Sequence, residues 1–172
     1  MTRADAPRRA GNMTEALQRV AAAQTAAGQP GATLQALADA LAGTAGFKLF
    51  TVLLHDPAAG EIRRAYSNMP AEYPTGGAKP ITGSPWMRQV LQLGEPYVGR
   101  DREDIRAVFF DYELILSLGC ESVLNLPVRW DGRVLAVLNL LHESGWYNDV
   151  DPGALLPLAQ FAVPALQLMQ RE

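Results

Sequence analysis

Ser117-Leu-Gly-Cys-Glu-Ser-Val-Leu-Asn-Leu-Pro-Val-Arg-Trp-Asp-Gly-Arg-Val-Leu-Ala-Val-Leu-Asn-Leu-Leu-His142 is the stretch that decides the fold. Two apolar runs, Val123–Val128 and Val134–Leu141, flank a short segment holding Asp131-Gly132. Asp-Gly between β-rich runs is a strong hairpin signal, because both residues tolerate positive φ. Both runs are apolar at nearly every position, so both faces of the hairpin are expected to be covered. The exceptions are Asn125 and Asn139. A carboxamide in a covered strand must find a hydrogen-bond partner or lose roughly 1–3 kcal/mol. Two of them on one hairpin suggest a polar spot inside a largely apolar cavity, the pattern of a small-molecule pocket.

Outward from the hairpin, the chain reads as alternating helical and extended segments. Asn12 with Glu15 resembles a capping box opening a helix near Met13, with Leu17, Val20 and Ala21 apolar. Gly28-Gln-Pro-Gly31 breaks it. Leu34, Leu37, Ala38, Leu41 and Ala45 then form a clean helical stripe. Lys48–His55 and Glu61–Ser67 read as antiparallel strands joined by an Asp56–Gly60 turn. Asn68–Pro85, rich in Pro and Gly, reads as a long loop around Tyr73. A short helix is expected over Trp86–Leu93 after the Ser84-Pro85 start signal. Next come an edge strand at Gly94–Val98 and one helix over Arg102–Leu118. A closing helix is expected over Pro152–Gln170, kinked at Pro164. The first twelve residues lack periodicity and read as a disordered leader, leaving 13–172 as the domain.

The hairpin motif resembles that of the GAF domain family. Gly119-x-x-Ser122 leads into a strand ending at Pro127, then a turn with Gly132. The second strand, Ala136-Val137-Leu138-Asn139-Leu140, is similar to the family's GVLNL. Trp146-Tyr147-Asn148-Asp149-Val150-Asp151, followed by Leu155, Leu158 and Ala159, is similar to its aromatic-x-x-x-Asp lead-in to a closing helix. The resemblance covers roughly residues 14–170. It implies an α+β, GAF-like (PAS-related) fold: a central antiparallel sheet, helices on one face, and a loop and helix cover over the other. Fold alone does not license function.

Bulk properties narrow the classes. With 172 residues, one domain is expected, burying about 70% of its unfolded surface. A net charge of −3 with scattered Arg argues against a nucleic-acid surface. No run of about 18 apolar residues marks a membrane span, and Met1–Met13 carries no secretory pattern, so a cytoplasmic protein is the simplest expectation. A lone cysteine, Cys120, excludes an intrachain disulfide and reads as a small buried residue beside Glu121.

Catalysis finds little support in the residues. The phytochrome branch of the family carries a Cys-His pair where Phe109 and Phe110 stand here. The free methionine-R-sulfoxide reductase branch places its attacking cysteine near the position of Leu116. The cyclic-nucleotide branch's signature is unmatched, although Asn148-Asp149 lies in a comparable neighbourhood. His55 and His142 have no acidic partner at metal-ligand spacing, and Thr75-Gly-Gly-Ala-Lys79 lacks phosphate-loop spacing. Lys79, Arg100 and Arg102 are candidates to pair an anion, although solvated surface charge is their ordinary role.

The expectation is therefore a sensory or regulatory module binding an unidentified small molecule and signalling to a separate output protein. The expected ligand-binding residues are Tyr66, Asn68, Tyr73, Trp86, Tyr97, Phe110, Asn125 and Asn139. Rings supply burial and the hydroxyls and amides supply orientation. A homodimer is expected through the first and last helices, with Leu17, Val20, Ala21, Leu166 and Met169 as its seam. The alternatives are dimerisation without a ligand and, third, a small redox enzyme using the same cavity.

Overall fold

A computed structural model describes residues 12–171, so the reading of 1–12 as a leader lies almost wholly outside the described residues. The Asp-Gly hairpin forms as its sequence demands. Strands β5 (Ser122–Trp130) and β6 (Arg133–His142) pair antiparallel across a two-residue turn. Asp131 and Gly132 both take positive φ, 51° and 73°. That is the turn whose twist matches the strands it joins.

Four more strands complete one sheet. They are β1 (Leu49–Asp56), β2 (Glu61–Ser67), β3 (Ala78–Pro80) and β4 (Tyr97–Gly99), in the order β3-β2-β1-β6-β5-β4. Every pairing is antiparallel. Both edge strands are three residues long. Strand β3 falls within the stretch read as loop. Three residues ending in Pro80 give no periodicity from which a strand could be read.

Helices α1 (Met13–Gln24) and α2 (Gly31–Thr44) cover one face of the sheet. Asn12 caps α1 by accepting the Thr14 N–H. Val20, Leu34, Leu37 and Leu41 pack against Phe50, Val52, Leu124, Leu126, Leu138 and Leu140 in one apolar core. Each such side chain contributes about 1.5–3 kcal/mol through burial.

The expected closing helix is two helices on that same face. They span Pro152–Gln160 and Val163–Met169, bent by 57° across the break. Pro164 has no N–H to donate, so it sits in the first turn of the second helix, where none is needed. No single described helix is long and apolar enough to cross a membrane.

The opposite face carries the cover. A helical turn, α3 (Pro85–Met87), is capped by Ser84 and continues as a π-helical stretch over Arg88–Leu93. The single helix expected over Arg102–Leu118 is instead α4 (Arg102–Val108) and α5 (Tyr112–Ser117). Phe109 is extended between them, at φ −107° and ψ 126°. The two closing helices are α6 (Pro152–Gln160) and α7 (Val163–Met169) in chain order. Apolar packing under the cover falls into two clusters. One holds Leu49, Tyr73, Ile105, Phe109, Ile115, Cys120, Val123 and Leu141. The other holds Leu53, Ile62, Trp86, Val90, Val134 and Val137.

Candidate functional site

Polar side chains run in a row across the covered face. The strand registers set Thr51 opposite Asn139, Asn139 opposite Asn125, and Asn125 opposite Tyr97. The row lies between the two apolar clusters, since Asn125 follows Val123 and Asn139 separates Val137 from Leu141 on that face. Thr51, Asn125 and Asn139 are all buried.

Their hydrogen bonds form a chain. Trp86 Nε1 donates to Asn125 Oδ1 at 2.9 Å. Asn125 Nδ2 donates to Asn139 Oδ1, and Asn139 Nδ2 donates to Thr51 Oγ1 at 3.2 Å. The two carboxamides are therefore partnered within the chain of bonds, which ties the cover, through Trp86, to the centre of the sheet. Such connected networks fix one arrangement of the groups that make them.

A charged cluster adjoins the row at the β2–β3 end. Asp111, at the head of α5, accepts from Tyr73 Oη at 2.7 Å. Its carboxylate pairs with Arg64 Nη2 at 3.3 Å and Lys79 Nζ at 3.4 Å. The Arg64 guanidinium stacks 3.6 Å from the Tyr73 ring centre, a cation–π contact. Arg64 Nη1 donates to the Pro74 carbonyl at 2.8 Å. Its Nε is buried with no hydrogen-bond partner among the described residues. Burial pushes the Tyr73 hydroxyl well above the ordinary phenol range, with Asp111 adding to the effect. Burial likewise pulls the Lys79 ammonium down, against the attraction of Asp111. Phe109 links the two groups, its ring 6.0 Å from that of Trp86 and 6.0 Å from Lys79 Nζ.

Of the residues expected to face a ligand, Trp86, Asn125 and Asn139 come together in the row, and Tyr97 stands opposite Asn125 on β4. Tyr73 lies in the charged cluster. Phe110 is 74% exposed, with Lys79 Nζ 4.0 Å from its ring centre. Tyr66 and Asn68 stand elsewhere. The β1–β2 register slips between Val52 and Leu53, so Tyr66 pairs with Val52 while Arg64 pairs with Leu53. That bulge turns Tyr66 onto the helix-packed face, where its ring lies 5.7 Å from Phe50. Asn68 is exposed. Its amide donates to the Lys48 carbonyl and its oxygen accepts the Phe50 N–H, fastening the end of β2. Tyr66 and Asn68 line a separate cleft of about 470 Å³ with Gln35, Asp39 and Phe47.

Arg64, Asp111 and Thr51 were not singled out from the sequence. Arg64 had a usable signal, since it stands two residues from the inward Ile62 on one strand. Asp111 had none, because its partners lie about thirty residues or more away in sequence. Lys79 is half-buried against Asp111, not solvated. Arg100 and Arg102 are exposed, and Arg102 pairs with Glu121 at 3.3 Å.

Cys120 is fully buried, and burial pushes its thiol up to about 11, the reverse of what an attacking thiolate needs. His55 Nδ1 lies 2.9 Å from the Val134 carbonyl. His142 stacks on Trp146 with ring centres 3.5 Å apart. Among the described residues no group of His, Cys, Asp and Glu could hold a metal ion.

The comparisons with known proteins agree with this architecture. The structure resembles the GAF domain of a phosphoenolpyruvate-protein phosphotransferase from Coxiella burnetii, with a TM-score of 0.71 at 15% identity, covering 95% of this chain and 97% of that one. It resembles the GAF domain of a two-component sensor histidine kinase from Bacillus halodurans, with a TM-score of 0.61 at 15% identity over 80% and 92% of the two chains. A free methionine-R-sulfoxide reductase from Neisseria meningitidis shares the fold, with a TM-score of 0.61 at 17% identity over 99% and 96%. At such identities the likeness speaks for the fold alone. Among curated proteins none matches. The sequence model of the GAF domain matches residues 29–166. With most of its length matched, and its sheet and cover in place, the chain belongs to the GAF domain family.

Proposed function

We propose that this GAF domain is a small-molecule-binding regulatory module that acts in the cytoplasm through a separate output protein. The observation that carries this reading is the buried polar row of Thr51, Asn139, Asn125 and Trp86 beside the Arg64–Asp111 cluster. A face needed only for stability could be filled with apolar side chains, as the helix-packed face largely is. Polar groups aimed between sheet and cover give a ligand orientation, and the rings of Trp86, Tyr97 and Phe109 give it apolar contact. Binding would shift the cover relative to the sheet, a population change and not a chemical step.

A homodimer belongs to the same reading, with a narrower seam than the sequence suggested. Val20 and Leu166 are wholly buried in the monomer's own core, so neither can face a partner. Leu17, Ala21 and Met169 remain available, and Leu168, 42% exposed, joins them.

Native mass spectrometry of freshly purified protein tests both parts at once. The expected result is a dimer retaining a small molecule, or taking one from a metabolite panel. Replacing Trp86 and Asn125 together by Ala should weaken that binding while the circular dichroism spectrum is kept. Unchanged affinity in the double variant would place the ligand elsewhere.

A further inference from the structure

We propose that Arg64, Lys79 and Tyr73 form a subsite for the carboxylate of a small organic acid, in which Asp111 is the resident occupant and is displaced when that acid binds. The inference rests on reading the covered face as a ligand site, and it names the chemistry of the ligand.

Three observations carry it. Two cations and a phenol converge on one carboxylate, so the cluster holds an excess of positive charge that a second acid group can use. The Arg64 side chain is only 10% exposed, yet its Nε is left without a partner among the described residues. A buried guanidinium with an idle donor has capacity for one more acceptor oxygen than Asp111 supplies.

The third observation concerns Asp111 itself. Asp101 and Asp151 stand at the corresponding positions of α4 and α6, and each turns its carboxylate onto its own helix. Asp101 accepts from the Glu103 and Asp104 amides, and Asp151 from the Gly153 amide. Asp111 heads α5 but makes no such bond: its backbone stands at φ −93° and ψ 29°, not extended like that of Asp101 and Asp151, and its carboxylate lies on Arg64 and Lys79. Turning that backbone to the extended form would give Asp111 a second home as the cap of α5, the ordinary one for an aspartate heading a helix. An incoming carboxylate would take over Arg64, Lys79 and Tyr73, and Asp111 would turn to cap α5. The extended Phe109 and the exposed Phe110 form the joint about which this exchange moves α5 relative to α4.

The test removes the resident carboxylate and offers a free one. Asp111→Ala and Asp111→Asn proteins are melted in sodium formate, acetate or succinate, against sodium chloride of equal ionic strength. The expected result is a saturable rise in Tm with the carboxylates only, about 5 °C or more at 100-fold over Kd. The rise should be absent from Asp111→Asn carrying Arg64→Met and Lys79→Met. If Asp111→Ala does not fold, Asp111→Asn keeps the volume and serves alone. A response to carboxylate no larger than to chloride overturns the proposal. So does native mass spectrometry that finds a retained molecule without an acid group, a result that leaves the ligand-site reading standing. A chain that retains nothing and binds nothing from the panel defeats the ligand-site reading, and this proposal with it.

Discussion

Two neighbours on β5, Leu126 and Asn125, point to opposite faces of the sheet and report on two kinds of interior. The face beneath Leu126 is a single apolar core closed by α1, α2, α6 and α7. The face beneath Asn125 is divided, with a polar row between two smaller clusters and an ion cluster at one end. Both are buried, yet on the first the Tyr147 hydroxyl bonds a backbone carbonyl, at Gly46, while on the second polar side chains bond one another across the strands. The difference is one of kind: the first face is held by apolar packing, and the second by a definite arrangement of polar and charged side chains.

Substitutions on either side of the sheet would break or sharpen that contrast. Leu126→Ala should cost about 3 kcal/mol in urea unfolding, the middle of the range for a fully buried leucine, and leave ligand affinity unchanged. Lost binding in this variant would mean that the two faces are not independent. Asp111→Ala should cost nearly as much, also about 3 kcal/mol, because it strands two cations with little access to water. Replacing Arg64 and Lys79 by Met in the same chain should return much of that loss. A loss that persists would trace to α5 itself and not to the cluster.

Asn125→Ala comes next, at about 2 kcal/mol, since it leaves the Trp86 indole N–H and the Asn139 carboxamide short of partners. Paired with Asn139→Ala it should cost less than the two single losses added together. Strict additivity in that cycle would show that the row is not a network. The smallest effect lies at the sheet's margin. Burial lowers the His142 imidazole below its ordinary 6.5, and its Nδ1 accepts the Glu143 N–H at 2.8 Å, which requires the neutral ring. The unfolded chain then binds more protons than the folded one as the pH falls below 6.5, so the stability is full above that value and declines beneath it. Glu143 and Lys48 are the charged neighbours it feels. Denaturation curves of wild type and His142→Gln should diverge only on the acid side, and parallel curves would remove His142 from the account.

Where information was local, the sequence was readable. Asp131-Gly132 dictated its turn, the stripe from Leu34 to Leu41 dictated α2, and Asn125 and Asn139 announced a polar row by being polar in the wrong place. The failures share a cause. The break after Val108 goes with a contact between Asp111 and Arg64, 47 residues away, and apolar periodicity is blind to such a contact. Tyr66 was set on the wrong face because a one-residue slip in register reverses every side chain beyond it. The seam of Val20 and Leu166 failed for a related reason, as an apolar stripe does not say whether its own sheet or another subunit covers it. Of the site, the amides and Trp86 were legible, and the ions were not.

The brevity of the two outermost strands has its own consequence. A long, flat border would offer its idle amides and carbonyls to any passing extended chain. Here one border spans Ala78–Pro80, carrying a lysine and ending in a residue that cannot donate, and the other spans only Tyr97–Gly99. Lateral growth by strand addition has almost nothing to grip, so the backbone ladder stays finite and any contact between copies would fall to side-chain surfaces.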